Sequence, residues 1–304
     1  SPKERYKIMT SEMPKGGKLS LDMMYKTAGI QINYDYTSEE DFEKKFKIGN
    51  YLAPLTIALF ANSPFYENKL SGFLSYRGKV WQETNRGGIM PITFEKLNFE
   101  KYIDHAINYP ILFLKKKGKY FSPNGQTFKD FLDGSLNFLK GEKPSLEDFE
   151  NHLGTIFTEI RLKQVIEFRS LDTCNFGCIC NGPSFFTGLI YGSLDETYEI
   201  IKNWKKEEVM DAYLNAPKQG LNTLLKNKKL IDWAKIFLDI SKKGLDKRNE
   251  LNKSGKNETI YLKHIEEIIK NKKTRAEMLI EQFNKTNNLN FLVNHDENFS
   301  YSGF

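Results

Sequence analysis

Hydrophobic spacing divides the chain into two kinds of segment. Three stretches alternate apolar and polar residues with the period of two that sends successive side chains to opposite faces of a strand. In 30–36, Gln31, Asn33 and Asp35 share one face, and Ile30, Ile32, Tyr34 and Tyr36 the other. In 73–80, Ser75, Arg77 and Lys79 oppose Leu74, Tyr76 and Val80. The longest, 161–169, sets Arg161, Lys163, Glu167 and Arg169 against Leu162, Gln164, Ile166 and Phe168. One apolar face per strand predicts antiparallel pairing over a core.

Elsewhere the period lengthens to that of a helix. The spacing predicts helix over 39–61, with Ser38 as its cap, Glu39, Glu40 and Asp41 in its first turn, and Phe42 and Phe46 four apart. Gly49 and Pro54 are expected to bend or split it. The C-terminal third carries amphipathic segments at 193–204, 206–215, 228–243, 259–270 and 274–284, with Gly220, Gly244 and Gly255 read as separators. These are packing helices by pattern. No repeat, low-complexity stretch or clear linker divides the chain.

Composition narrows the field. The 304 residues carry 45 Lys and Arg against 39 Asp and Glu, a formal charge of +6, and are 13% aromatic, which excludes a chain disordered throughout. The basic runs at 115–117, 226–229 and 270–273 lack interleaved stacking aromatics, so they read as solvated faces and no nucleic-acid partner is expected. The best apolar stretch, 51–61, is interrupted by Pro54 and falls short of a membrane span. The opening SPKERYKIM has no apolar core and no initiator Met, so a truncated N-terminus is expected rather than a signal peptide. Cys174, Cys178 and Cys180 cluster within one short loop, and they read as loop thiols in a reducing, cytoplasmic setting.

Several catalytic motifs fail on spacing. Lys15-Gly16-Gly17-Lys18-Leu19-Ser20 lacks the first glycine of a phosphate loop, and no G-x-G-x-x-G, H-E-x-x-H or G-x-S-x-G occurs. The three cysteines have no second cluster to complete a zinc site, and none of His105, His152, His264 and His295 has a visible nucleophile beside it. What remains is the polar faces of the three strands, which hold fixed Arg donors, amides and a carboxylate at Glu-x-Arg spacing. That inventory suits anionic ligands and a metal, because a guanidinium can grip a phosphate oxygen bidentately while a carboxylate holds Mg²⁺.

Longer patterns point to one family. Arg5-Tyr6 with Met9, Leu19-Ser20-Leu21-Asp22-Met23-Met24 with Thr27, Gln31-Ile32-Asn33, and Phe60-Ala61-Asn62-Ser63-Pro64-Phe65 begin the likeness. It continues through Gly72-Phe73-Leu74-Ser75-Tyr76-Arg77, Trp81 with Thr84, Met90-Pro91, Glu150-Asn151-His152-Leu153, 155–163 and Glu167-Phe168-Arg169. In order and spacing this resembles glutamate-cysteine ligase of the plant and proteobacterial type over about residues 1–285.

The resemblance implies an α+β fold: a concave antiparallel sheet related to glutamine synthetase, with helices on its outer face and a helical C-terminal third. It implies a single catalytic domain over 1–304, with an active-site part at 1–190, a helical part at 191–285 and a tail at 286–304. The implied reaction is ATP-dependent ligation of glutamate to cysteine through an acyl phosphate, the first step of glutathione biosynthesis, with ATP and Mg²⁺ bound. Carried over, Glu167 and Gln31 would hold metal, Arg169 and Arg161 would meet the nucleotide, and Arg169 would donate to the transferring phosphoryl group. Arg77 would be catalytic alongside Arg169 and bind a substrate carboxylate, and Met24, Thr27, Asn33, Trp81 and Tyr102 would line the substrate pocket. The partners would be small molecules, with no membrane, and the protein a monomer or homodimer.

The family's chains begin well upstream of this one, in a segment carrying further acidic metal ligands, so inactivity of this piece alone is expected. His105 stands where close relatives are expected to carry an aromatic hydroxyl, with Tyr102 as the nearest substitute. Plant members are redox-regulated through disulfides, a property not carried over to the cysteines here. The alternatives are another glutamate carboxylate-amine ligase of the same fold, or a non-catalytic amino-acid or nucleotide-binding module.

Overall fold

The computed structural model describes residues 4–294, so His295 and the end of the expected tail lie outside the described residues. Helices predominate and the sheets are small and antiparallel where paired as hairpins, which agrees with a mixed α+β class. The chain forms two compact units. Among the described residues, one contains 4–27, 33–50 and 80–169, and the other 28–32, 51–79 and 170–294.

The largest sheet among the described residues has three strands, ordered Gly29–Tyr34, Ile166–Asp172 and Ile160–Leu162. In the first, Ile30, Ile32 and Tyr34 are buried while Gln31 and Asn33 are exposed, as the alternation requires. The single strand expected over 161–169 is instead a hairpin. Lys163 N–H donates to the Val165 carbonyl at 2.9 Å, and Arg161 pairs opposite Glu167 in antiparallel register. The turn leaves the parity of the charged set intact, which is why a one-strand reading grouped the right side chains.

In the first unit the Glu39–Tyr51 helix begins as expected, with Ser38 Oγ accepting from Asp41 N–H at 3.1 Å. It runs straight through Gly49 and stops at Leu52, because Pro54 in the first turn of the next helix, Ala53–Leu59, has no N–H to continue the ladder. Phe42 and Phe46 point into an aromatic core with Phe99 and Tyr102, at centroid separations of 5.1–6.2 Å.

The second unit departs from the reading at two places. Residues 73–80 form no strand: Ser75 Oγ accepts from Gly78 N–H at 3.0 Å, and the helix Tyr76–Gln82 follows. A capped turn satisfies orphan amides that an alternating pattern does not reveal. Gly244, expected as a separator, lies buried inside the helix Leu230–Arg248. A Cβ there would fall 2.0 Å from the Gly188 carbonyl oxygen, so the glycine permits backbone-to-backbone crossing of two helices. The other C-terminal helices fall within a few residues of their expected spans, at Leu194–Ile201, Lys206–Gln219, Lys263–Asn271 and Arg275–Thr286. Cys174 and Cys178 are joined in a disulfide across a tight turn, with Cα atoms 6.1 Å apart, so the loop-thiol expectation holds for exposed Cys180 alone.

Candidate functional site

The hairpin of the first unit gathers four charged side chains. Glu167 and Arg161 are direct cross-strand partners, and Glu167 Oε2 accepts from Arg161 Nε at 2.9 Å and from Nη2 as well. The same oxygen accepts from Arg169 Nη1 at 3.2 Å, while Oε1 accepts from Lys163 Nζ at 3.3 Å. Arg161, Glu167 and Arg169 are all buried, and Lys163 reaches in from a more open position. Burial pushes the Glu167 carboxyl up, but the three cations and the Arg161 hydrogen bonds outweigh it and hold it below its ordinary value.

Each guanidinium has a different job. Arg161 Nη1 also donates to the carbonyls of Gly154 at 2.8 Å and Ile156 at 3.1 Å, so its three nitrogens are all engaged by the protein. These bonds tie Arg161 to Glu167 and to the backbone that precedes the hairpin. Arg169 lies with its guanidinium carbon 5.2 Å from the centroid of the Trp81 ring, a cation–π contact that adds to its bond with Glu167. Trp81 is itself buried, in a T-shaped contact with Phe157 at a centroid separation of 6.4 Å. Lys163 and Arg5 line a cavity of about 300 Å³ together with Tyr6, Phe113, Glu150 and Asn151.

Tyr102, expected to line the substrate pocket, packs against the hairpin. Its hydroxyl donates to the Leu162 carbonyl at 3.2 Å and accepts from Leu162 N–H at 2.9 Å, and its ring is 1% exposed within the aromatic core. Burial pushes the phenol up. Both of these hydrogen bonds satisfy the backbone of the hairpin. Met24 sits half-buried on the helix Ser20–Lys26, and Thr27, at its C-terminus, donates to the Met23 carbonyl at 2.8 Å.

In the second unit Arg77 is 4% exposed on the first turn of its helix. Beside it is a residue that pattern reading missed, Asp172, the last residue of the Ile166–Asp172 strand and fully enclosed. Its Oδ2 accepts from Asn62 N–H at 2.8 Å and Ser63 Oγ at 2.7 Å, and its Oδ1 from Ser75 Oγ at 2.8 Å. The only sequence signal was a carboxylate ending a strand buried on both faces.

The hairpin cluster does not fit a divalent cation. Both oxygens of Glu167 already face protein cations, and among the described residues no group of three or more His, Cys, Asp or Glu side chains could hold a metal ion. Of the two residues expected to hold metal, Glu167 is engaged by these cations, and Gln31 is exposed on the Gly29–Tyr34 strand. Among the described residues no helix is long and apolar enough to cross a membrane.

Residues 1–295 match the glutamate-cysteine ligase family 2 (GCS2). The chain belongs to this family. It is 40% identical over 287 residues to the chloroplastic glutamate–cysteine ligase of Solanum lycopersicum, covering 93% of this chain and 54% of that protein. The chloroplastic enzyme of Arabidopsis thaliana is 40% identical over 288 residues, with 93% and 54% covered. Chloroplastic glutamate–cysteine ligase B of Oryza sativa subsp. japonica is 39% identical over 287 residues, with 93% and 57% covered. The chain thus spans about half the length of the curated relatives it matches. These relatives are named chloroplastic, which overturns the cytoplasmic expectation.

Proposed function

We propose that this chain serves the ATP-dependent ligation of the γ-carboxylate of L-glutamate to the amine of L-cysteine in glutathione biosynthesis, in a plastid. The γ-carboxylate oxygen would attack the terminal phosphorus of ATP and release ADP. The cysteine amine would then attack the acyl carbon, lose a proton and expel phosphate, leaving γ-glutamylcysteine.

The observation that carries this reading is the buried Arg161–Glu167–Arg169 cluster with Lys163 at its edge, in a chain of this family. Bringing a carboxylate to a polyphosphate joins two anions, so fixed cations contribute most where they need no reorganisation during reaction. Arg169, set between Glu167 and Trp81, is the donor we assign to the transferring phosphoryl group. Lys163 assists from the cavity side, and Glu167 holds all three cations in place. Arg77 is the carboxylate-binding residue, with Met24, Thr27 and Asn33 shaping the substrate pocket. The finer fold we propose is the concave glutamine synthetase-like sheet, within one catalytic domain acting on small molecules as monomer or homodimer. The metal such ligases use finds no donor set among the described residues, and none of these roles depends on it.

Calorimetric titration with ATP and with L-glutamate, alongside phosphate release dependent on both amino acids, tests the reading. Arg169→Ala is expected to lower phosphoryl transfer by about 10²–10³-fold. A protein that binds neither ATP nor L-glutamate would refute it.

A further inference from the structure

Asp172 is a buried carboxylate that none of the roles above uses. It closes a small network confined to the second unit. Its oxygens accept from Asn62 N–H, Ser63 Oγ and Ser75 Oγ at 2.7–2.8 Å. Those hydroxyls then act on the helix that carries Arg77. Ser63 Oγ accepts from the Arg77 N–H, and Ser75 Oγ accepts from Gly78 N–H, each at 3.0 Å. Two backbone bonds tie the same strap together, Tyr76 N–H to the Ser63 carbonyl at 2.9 Å and Ser63 N–H to the Leu74 carbonyl at 3.2 Å.

The guanidinium end is fixed separately. A Cβ built on Gly29 would lie 2.5 Å from Arg77 Nε and 2.8 Å from its Cζ, so the guanidinium rests directly against the glycine backbone. The charge of Arg77 also bears on Asp172, whose carboxyl is pushed up by burial against the pull of Arg77 and the three donors. Asp172 thereby governs both ends of Arg77: its peptide group through Ser63 and its charge through space.

We propose that Asp172 is the positioning residue for Arg77, orienting the guanidinium that receives a substrate carboxylate, with Gly29 as the surface that sets its reach. The proposal rests on the assignment of Arg77 above. It predicts that disturbing either support weakens the substrate while the catalytic steps themselves are untouched.

Three full-chain variants test it: Asp172→Asn, Gly29→Ala and Arg77→Lys. Asp172→Asn keeps the size but replaces one acceptor oxygen with a donor, and Gly29→Ala displaces the guanidinium without touching the network, which keeps the test alive if the first variant folds poorly. The readouts are the L-glutamate dissociation constant by calorimetry, the split between KM and kcat, and the Arg77 ¹⁵Nε resonance. Expected are about tenfold weaker glutamate binding in Asp172→Asn and Gly29→Ala, carried by KM rather than kcat, and a displaced Arg77 Nε signal in both. A general loss of folded protein would reduce kcat per total protein and leave the dissociation constant unmoved. If Arg77→Lys weakens glutamate tenfold while the other two stay within twofold of the parent, the positioning role of Asp172 is refuted and the Arg77 assignment stands. If Arg77→Lys has no effect, or the parent binds no glutamate, the Arg77 assignment falls. The Nε resonance then decides the rest: an unchanged signal in Asp172→Asn refutes the positioning claim and a shifted one sustains it.

Discussion

Arg161 and Glu167 face one another across the 160–172 hairpin, and the carboxylate that accepts from Arg161 Nε at 2.9 Å also holds Arg169 at 3.2 Å. One side chain therefore keeps two buried guanidinium groups from being uncompensated. Glu167→Gln is expected to cost about 3–5 kcal/mol in urea unfolding, because buried charges lose their counterion. The pH dependence has a definite sign. The folded carboxyl lies below its ordinary 4.5, so its contribution is complete above that pH and is lost as pH falls through the lower folded value. Acid titration of stability should show a steeper loss below pH 4.5 in the parent than in Glu167→Gln; equal slopes would contradict the pairing.

Tyr102→Phe separates a structural from a substrate role. Leu162 would lose both its donor and its acceptor in a buried position, and destabilisation of about 1–3 kcal/mol is expected from chemical denaturation. Glutamate and cysteine affinities should stay within twofold of the parent. A change confined to substrate affinity, with stability intact, would instead support a place for Tyr102 in the substrate pocket.

His152 supplies a second pH signature. Burial depresses its pKa to about 4, against the Ala106 carbonyl bonded to Nε2 at 2.8 Å, from an ordinary 6.5. Between those values the unfolded chain binds the proton and the folded chain does not, so stability rises with pH from about 4 to about 6.5 and is flat above. Replacing His152 with Gln should flatten that segment of the stability curve, which thermal melts at half-unit pH steps would resolve.

Gly244→Ala tests the helix crossing of the second unit. The added methyl would meet the Gly188 carbonyl oxygen at 2.0 Å, backbone that has no rotamer to change. A loss of about 1–3 kcal/mol is expected from the forced separation. Ala at Gly255, where a Cβ would meet nothing within 4 Å, should cost only the strain of its positive φ of 69°.

Local rules carried far along this chain. The alternation of Ile30, Ile32 and Tyr34 against Gln31 and Asn33, the Ser38 cap and the C-terminal helices follow from side-chain period and capping chemistry, which act over a few residues and are written in the sequence. So was the shared side of Arg161, Lys163, Glu167 and Arg169, since a tight turn preserves the parity of a strand. Tertiary structure decided the rest. Whether Tyr102 faces Leu162 or a pocket, and whether Gly244 breaks a helix or lets one pass Gly188, depend on partners far along the chain. Asp172 shows the reason most clearly: its three donors come from residues 97 to 110 positions away, and no local pattern encodes a contact at that distance.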